Sequence, residues 1–309
     1  MKTPMSCAFD RSICVIIPTY NRSHELARAL DSLVAQTDPD FDVVVCDDGS
    51  TEDITAVVQR YENRLRLQVI RIENSGGPAR PRNIAMTATK THWVSFLDSD
   101  DWWLPHRMAR VKAALMGGQD IIYHQLTVSR ADQSPKSKPA HGACLGEPLR
   151  CADPLMHMLR FGNPLPTSAT TVRRALIMEI GGFAETRDLS SIEDLDAWLR
   201  LASQGAQMTF IAEPLGVYWV GKDNISLFTL RQYELQKNLF ERQLLLLPHK
   251  YRAVATSNFN YLLGSYALDL GLPGASEHFH KISLRQEPIR WLKSRIKLWQ
   301  RGWRGADCK

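Results

Sequence analysis

The sequence predicts a doubly wound α/β sheet over its N-terminal part. Short apolar runs alternate there with helical patterns, each run ends in a polar or glycine-containing cluster, and the connections are short. Ile13-Cys14-Val15-Ile16-Ile17 is continuously apolar and stops at Pro18, as a strand buried on both faces requires. Ser23 is placed to cap the next helix, where Leu26, Ala29, Leu30, Leu33 and Val34 recur at helical spacing. Val43-Val44-Val45-Cys46 reads as the second strand and ends at Asp47-Asp48-Gly49-Ser50. A short helix over residues 53–62 follows, with Ser50 or Thr51 as its cap. Residues 67–72 form a third strand, broken by Asn74-Ser75-Gly76-Gly77-Pro78 before a helix over 79–89. The fourth strand, 93–97, runs straight into Asp98.

Beyond residue 118 the pattern loosens. Residues 120–128 and 208–220 are strand-like, and 129–150 read as a mobile loop because Ser, Pro, Lys and Gly occur without apolar period. Residues 170–203 hold two helix-like stretches either side of Gly181-Gly182, and 227–309 are mostly helical. The 309 residues suffice for one large domain or two closely joined ones, with no internal repeat.

Composition narrows the function classes. A hydrophobic share of 44% and a charged share of 23% are ordinary for a globular chain. The formal charge of +5 fits anionic substrates or an anionic membrane surface, and is too scattered to support nucleic-acid binding. Cys7, Cys14, Cys46, Cys144, Cys151 and Cys308 form no CxxC pair, zinc cluster or disulfide framework, so they read as reduced, mostly buried thiols. No apolar run reaches the roughly 18 residues of a spanning helix, and no signal-peptide pattern opens the chain, which points to the cytoplasm.

The polar clusters follow strand ends, where a doubly wound sheet binds nucleotides. Asp98, Asp100 and Asp101 repel one another unless a cation or a set of donors compensates them. Their oxygens suit Mg²⁺ or Mn²⁺, with open positions for substrate phosphates. A solvated acidic turn capping the next helix fits the spacing equally well. Pro18-Thr19-Tyr20-Asn21-Arg22 offers hydroxyl, amide and guanidinium groups, and Asp47-Asp48-Gly49-Ser50 a carboxylate for a base N–H. Gly76-Gly77-Pro78-Ala79-Arg80-Pro81-Arg82-Asn83 combines small residues with two arginines suited to phosphate oxygens. Ser191-Ile192-Glu193-Asp194 reads as a capping box with Ser191 as N-cap, or as a carboxylate poised as general base, and both can hold. The dinucleotide GxGxxG and the P-loop are absent, which argues against hydride transfer and NTP hydrolysis.

The series PTYNR, DDGS, GGPARPRN, FLDSDDWW and GGF…ED resembles the family 2 glycosyltransferases, well over residues 12–120 and fairly through Ile225. The resemblance implies a GT-A fold, a mixed doubly wound sheet with a C-terminal helical extension. Residues 1–226 would be the glycosyltransferase domain, with a donor-binding half over about 12–118 and an acceptor half over about 119–226; residues 227–309 would be the extension. It further implies an inverting transfer of a sugar from a nucleotide-diphosphate donor, UDP favoured, to a hydroxyl of a glycan or lipid-linked acceptor in cell-surface polysaccharide synthesis. Pro18, Thr19, Asn21 and Asp48 would line the nucleobase and ribose pocket, and Arg82 would contact the donor. Asp98 would reach the ribose and partner Asp100, the ligand of Mg²⁺ or Mn²⁺. Asp194 would be the catalytic base, with Glu193 as its neighbour. Two departures stand out: Pro81 replaces a small alanine before Arg82, with Arg80 as a competitor for its role, and residues 222–226 lack the histidine that relatives often carry. No third protein ligand is therefore assigned. A catalytically silent glycan-binding or scaffold protein is the alternative, opposed by intact Asp98, Asp100 and Asp194.

Trp102, Trp103, Trp198 and Trp219 are candidates for stacking on sugar or lipid, with burial in the core expected for at least two. Ile289, Leu292, Ile296, Trp299 and Trp303 form one helical stripe beside Arg290, Lys293, Lys297, Arg301 and Arg304. Residues 285–304 thus suit an anionic membrane interface, on the inner face of the membrane, or a helix docking its stripe on the domain.

Overall fold

The computed structural model describes residues 12–115, 118–130, 144–221 and 229–306, with side chains through residue 300. The chain runs β1 (Ile13–Thr19), α1 (Ser23–Val34), β2 (Asp42–Asp47), α2 (Thr55–Val58), β3 (Arg66–Arg71), α3 (Ala79–Ala88), β4 (Trp93–Phe96), β5 (Trp102–Trp103), α4 (Arg107–Ala114) and β6 (Ile121–Ser129). Then follow β7 (Cys144–Leu145), α5 (Pro154–Phe161), β8 (Thr170–Arg173), α6 (Arg174–Glu179), α7 (Glu193–Ser203) and β9 (Met208–Trp219). Four helices close it: α8 (Leu230–Leu246), α9 (His249–Asp269), α10 (Ala275–His280) and α11 (Pro288–Ala306).

One mixed sheet has the order β3-β2-β1-β4-β8-β6-β9-β5, with β7 paired to β6. The strands β3, β2, β1 and β4 are parallel, and β8 joins antiparallel to β4. The chain winds outward from β1 to β3, then returns to the other side of β1 as β4, so the switch point lies between the carboxyl ends of β1 and β4. The continuous apolar run of β1 divides by parity. Cys14 and Ile16 enter one core with α3, α5 and α7, whereas Ile13, Val15 and Ile17 enter the other with α1, α2 and α4. Leu235, Leu239, Tyr251, Val254 and Phe259 of α8 and α9 belong to the first core. Asp196 of α7 fastens α8, accepting from Arg242 and Gln243, and also accepts from Arg200 of its own helix.

Several expectations change. Ser23 lies inside α1, and its N–H donates to Glu52 Oε2, a carboxylate from a separate loop. The helix expected at 53–62 is the single turn α2; Asp53, rather than Ser50 or Thr51, accepts at its start, from Thr55 N–H. Ser191 is no N-cap: α7 begins at Glu193, Ile192 precedes it, and Ser191 has φ 86°. Residues 170–173, read as helical, are strand β8 pinned between β4 and β6. Trp102, Trp103 and Trp198 are fully buried, so they pack the core and stack on no ligand. Cys14 and Cys46 are buried free thiols, as expected. Cys7, Cys308 and residues 131–143 of the expected loop lie outside the described residues.

Arg107 and His124 form a buried polar knot between the sheet and α4. Arg107 stacks on Trp103, donates to Thr171 Oγ1 and directs its Nε–H at His124 Nε2, 3.3 Å away. His124 Nδ1 meets Gln125 O at 2.8 Å, so a neutral ring serves both contacts. Burial, reinforced by Arg107, pushes the His124 pKa down to about 3 from 6.5. The unfolded chain takes up this proton first as the pH falls, so the stability present above about pH 6.5 is lost progressively toward pH 3. His124→Gln should therefore flatten the acid side of the thermal-midpoint profile relative to wild type. Identical slopes in the two proteins between those limits would refute the assignment.

Candidate active site

A cavity of about 720 Å³ opens at the switch point. It brings together all nine residues singled out from sequence: Pro18, Thr19, Asn21, Asp48, Arg82, Asp98, Asp100, Glu193 and Asp194. The ends of the parallel strands deliver Pro18, Thr19, Asn21, Asp48, Asp98 and Asp100 to one sheet edge, where α3 adds Arg82 and the start of α7 adds Glu193 and Asp194. The volume lies within the range of small-molecule sites.

On one side, Asn21 has φ 49° and uses its amide oxygen to accept from Thr51 N, Thr51 Oγ1 and Glu52 N. It thereby ties the loop after β1 to the loop after β2. Asp48 Oδ1 accepts from both the N–H and the hydroxyl of Ser75, tying the second loop to the third. Gly49 makes the close approach possible: φ is 76° and an added Cβ would stand 2.7 Å from Asn74 N. Thr19 Oγ1 and Ser191 Oγ both line the cavity, yet they are buried without a hydrogen bond. Such orphaned groups fit a site that a polar ligand completes.

The centre is an ion chain. Arg82, only 3% exposed, donates from Nη1 to Glu193 Oε1 and from Nη2 to Asp98 Oδ1, each at 2.6 Å. Burial opposes the charge on Arg82, but Asp98 and Glu193 outweigh it and hold the group protonated. The second Glu193 oxygen accepts from Ser191 N–H, which secures the left-handed turn before α7. Asp194 follows at the helix start, where Oδ2 accepts from Thr167 Oγ1 at 3.1 Å and Asn163 Nδ2 at 3.3 Å. Burial and the neighbouring Glu193 push the Asp194 carboxyl up to about 6.

The acidic loop after β4 divides its work. Asp100 meets Arg22 at 3.3 Å, and burial beside Asp98 pushes its carboxyl up to about 6. Asp98, paired with Arg82, and Asp100, paired with Arg22, both line the cavity, and carboxylate oxygens are the donors that a divalent cation takes. Among the described residues no group of three or more His, Cys, Asp or Glu side chains forms a metal cage. Residues 222–226, where a further ligand was sought, lie outside the described residues. Asp101 instead turns inward, accepts from Trp219 N–H, and is pushed well up by burial and by Asp100.

Sequence reasoning missed Thr167, Ser168 and Arg28. Ser168 Oγ accepts from Asp98 N–H, and its carbonyl accepts from Trp103 Nε1. Arg28 lies between the rings of Trp102 and Trp219 and donates to the carbonyl of Asp100 at 2.7 Å. Its signal was an arginine beside the apolar stripe of α1, where it is buried. Thr167 and Ser168 gave none beyond a polar run.

Arg82→Met should leave Glu193 buried with an uncompensated charge, and urea denaturation should show a loss of about 3–5 kcal/mol. A loss within 1 kcal/mol (roughly the value of an exposed pair) would show that the chain is not a structural link.

The sequence profile of Glycosyl transferase family 2 matches residues 14–180. The poly(ribitol-phosphate) beta-N-acetylglucosaminyltransferase TarS of Staphylococcus aureus is 45% identical over 91 residues, 28% of this chain and 16% of TarS. An uncharacterized glycosyltransferase of Haemophilus influenzae is 29% identical over 208 residues, 66% of each chain. The succinoglycan biosynthesis protein ExoU of Rhizobium meliloti is 33% identical over 139 residues, 45% of this chain and 39% of ExoU. The matches thus span between 16% and 66% of these relatives' lengths. Among solved structures, S. aureus TarS superposes with a TM-score of 0.64 at 22% identity, covering 93% of this chain and 53% of that one. A mannosyltransferase from Pyrobaculum calidifontis, in complex with GDP-Man and Mn²⁺, gives 0.59 at 18% identity, covering 94% and 82%. These likenesses show the GT-A type of fold. With the profile spanning more than half of its length, the chain belongs to glycosyl transferase family 2.

Proposed function

We propose that the protein is an inverting glycosyltransferase that moves a sugar from a nucleotide-diphosphate donor to a hydroxyl of a glycan or lipid-linked acceptor. The observation that carries this reading is the meeting of Asp194 with the Asp98–Asp100 loop across one cavity, coupled through Arg82. A UDP-sugar is favoured, because TarS has been solved with UDP and with UDP-GlcNAc. TarS and ExoU are named for poly(ribitol-phosphate) glycosylation and succinoglycan biosynthesis, which supports cell-surface polysaccharide assembly as the setting. Residues 1–226 would hold both substrates and 227–309 would buttress them, peripherally on the cytoplasmic face of the membrane.

The placement of these residues supports the following roles. Pro18, Thr19, Asn21 and Asp48 line the end that takes the base and ribose, and Asp98 reaches the ribose from the other side. Arg82 holds Asp98 and Glu193 in register and offsets their charge beside the donor. Asp100, with Asp98, would hold Mg²⁺ or Mn²⁺, which when bound supplies charge to the leaving diphosphate. Asp194 takes the proton from the acceptor hydroxyl, and the acceptor oxygen attacks the anomeric carbon. The bond to the diphosphate breaks on the opposite face, inverting the configuration. Thr167 and Asn163 keep Asp194 aimed.

Asp194→Asn should lower kcat by about 10²–10⁴-fold while donor affinity stays within about twofold. Full turnover in that variant would remove Asp194 from the mechanism. The base must be ionised, so kcat at saturating donor and metal should fall as the pH drops through about 6. Asp100→Ala should abolish the dependence of donor binding on Mn²⁺ in calorimetric titration; an unchanged dependence would exclude Asp100 as the ligand. Metal-dependent release of UDP separates the enzyme from a silent glycan-binding protein.

A further inference from the structure

The last helix, α11, is mounted with its apolar face outward. Ser294 is fully buried, Arg290 donates to Asn258 and to the Arg160 carbonyl, and Lys297 donates to Ser265. These residues dock the helix on α9 and α5. At 100° per residue, the stripe of Ile289, Leu292, Ile296 and Trp299 centres about 180° from Ser294. The structure bears this out, because the four are 67%, 55%, 45% and 63% exposed. The alternative, in which the stripe docks on the domain, is thereby overturned. The side chains of Arg301, Trp303 and Arg304 lie outside those described.

Charge selects the occupant. The helix carries six Lys and Arg and no acidic residue. Lys293 is exposed on one flank of the stripe, and Arg295 is partly exposed on the other. Pairing with a second copy would bring like charges together around the apolar contact. An anionic bilayer takes the apolar residues among its acyl chains and the cations among its headgroups. Among the described residues no helix is long and apolar enough to cross a membrane, so the contact is interfacial.

We propose that α11 lies in the surface of an anionic lipid bilayer through Ile289, Leu292, Ile296 and Trp299, with Lys293 and Arg295 at headgroup level. This deepens the membrane-side acceptor reading and rests on it for its purpose, though the contact shares no residue with the cavity. It turns the chain into a peripheral enzyme whose lipid-linked acceptor arrives by diffusion in two dimensions.

The test sediments the full chain with vesicles of phosphatidylcholine alone and of phosphatidylcholine with phosphatidylglycerol. Wild type should pellet with the anionic vesicles, and Leu292→Ser/Ile296→Ser should weaken partition by roughly tenfold or more. Lys293→Glu and added salt should each weaken it as well. Metal-dependent release of UDP into water should be equal in wild type and the double variant, which shows that the variant is folded. Equal pelleting of the two proteins, or no pelleting of wild type, would overturn the proposal. So would a vesicle-free dimer that the double variant dissociates. Intact pelleting without UDP release would count against the enzymatic reading alone.

Discussion

Arg82 stands between Glu193 and Asp98 with almost no contact to water, and the rest of the site is arranged around that cation. Glu193 begins α7 and Asp98 lies two residues beyond β4, so one guanidinium joins the start of a helix to the loop that leaves a strand. Removing the guanidinium would leave Glu193 with an uncompensated charge in a poorly hydrated place, so Arg82 holds the two carboxylates in position. Asp194 inherits its placement from this arrangement, being the next residue along α7. Its raised pKa has the same origin, since burial and the adjoining Glu193 both disfavour a second negative charge.

The sheet makes the convergence possible. Parallel strands send their loops to a single edge, and the return of the chain beside β1 opens a gap there. Side-chain ties then stitch the loops: Asn21 to residues 51 and 52, Asp48 to Ser75, and Arg28 to the backbone of Asp100. Helices on both faces bury the strands, and α8 and α9 extend one of those layers. The resulting cavity has walls fixed by the core and rims fixed by polar contacts.

Much of this was legible in the residues. Strands β1 and β2 were recognisable because burial on both faces leaves an unbroken apolar run, and polar clusters fell at their ends. Helix starts were misread at Ser23 and Ser191, for different reasons. At Ser23 the N–H donates to Glu52, a tertiary neighbour, whereas at Ser191 the local partner Glu193 takes the N–H and holds a left-handed turn in place of the cap. Arg82 was read as a donor contact. Its pairing with Glu193 spans 111 positions and leaves no local pattern. Trp102 and Trp103 followed an acidic cluster and were candidates for stacking, with burial expected for at least two of the four tryptophans but no sign of which. They form β5 against the end of β9, an antiparallel partner that no spacing announces.

The polar seating of α11 has a consequence for how the chain unfolds. Among the described side chains, none of that helix belongs to either hydrophobic core. Parting it from α9 would expose little apolar surface, so the step would carry a small heat-capacity change and little denaturant sensitivity. The sheet and its buried ion chain would melt as one cooperative unit, with the last helix fraying independently of it.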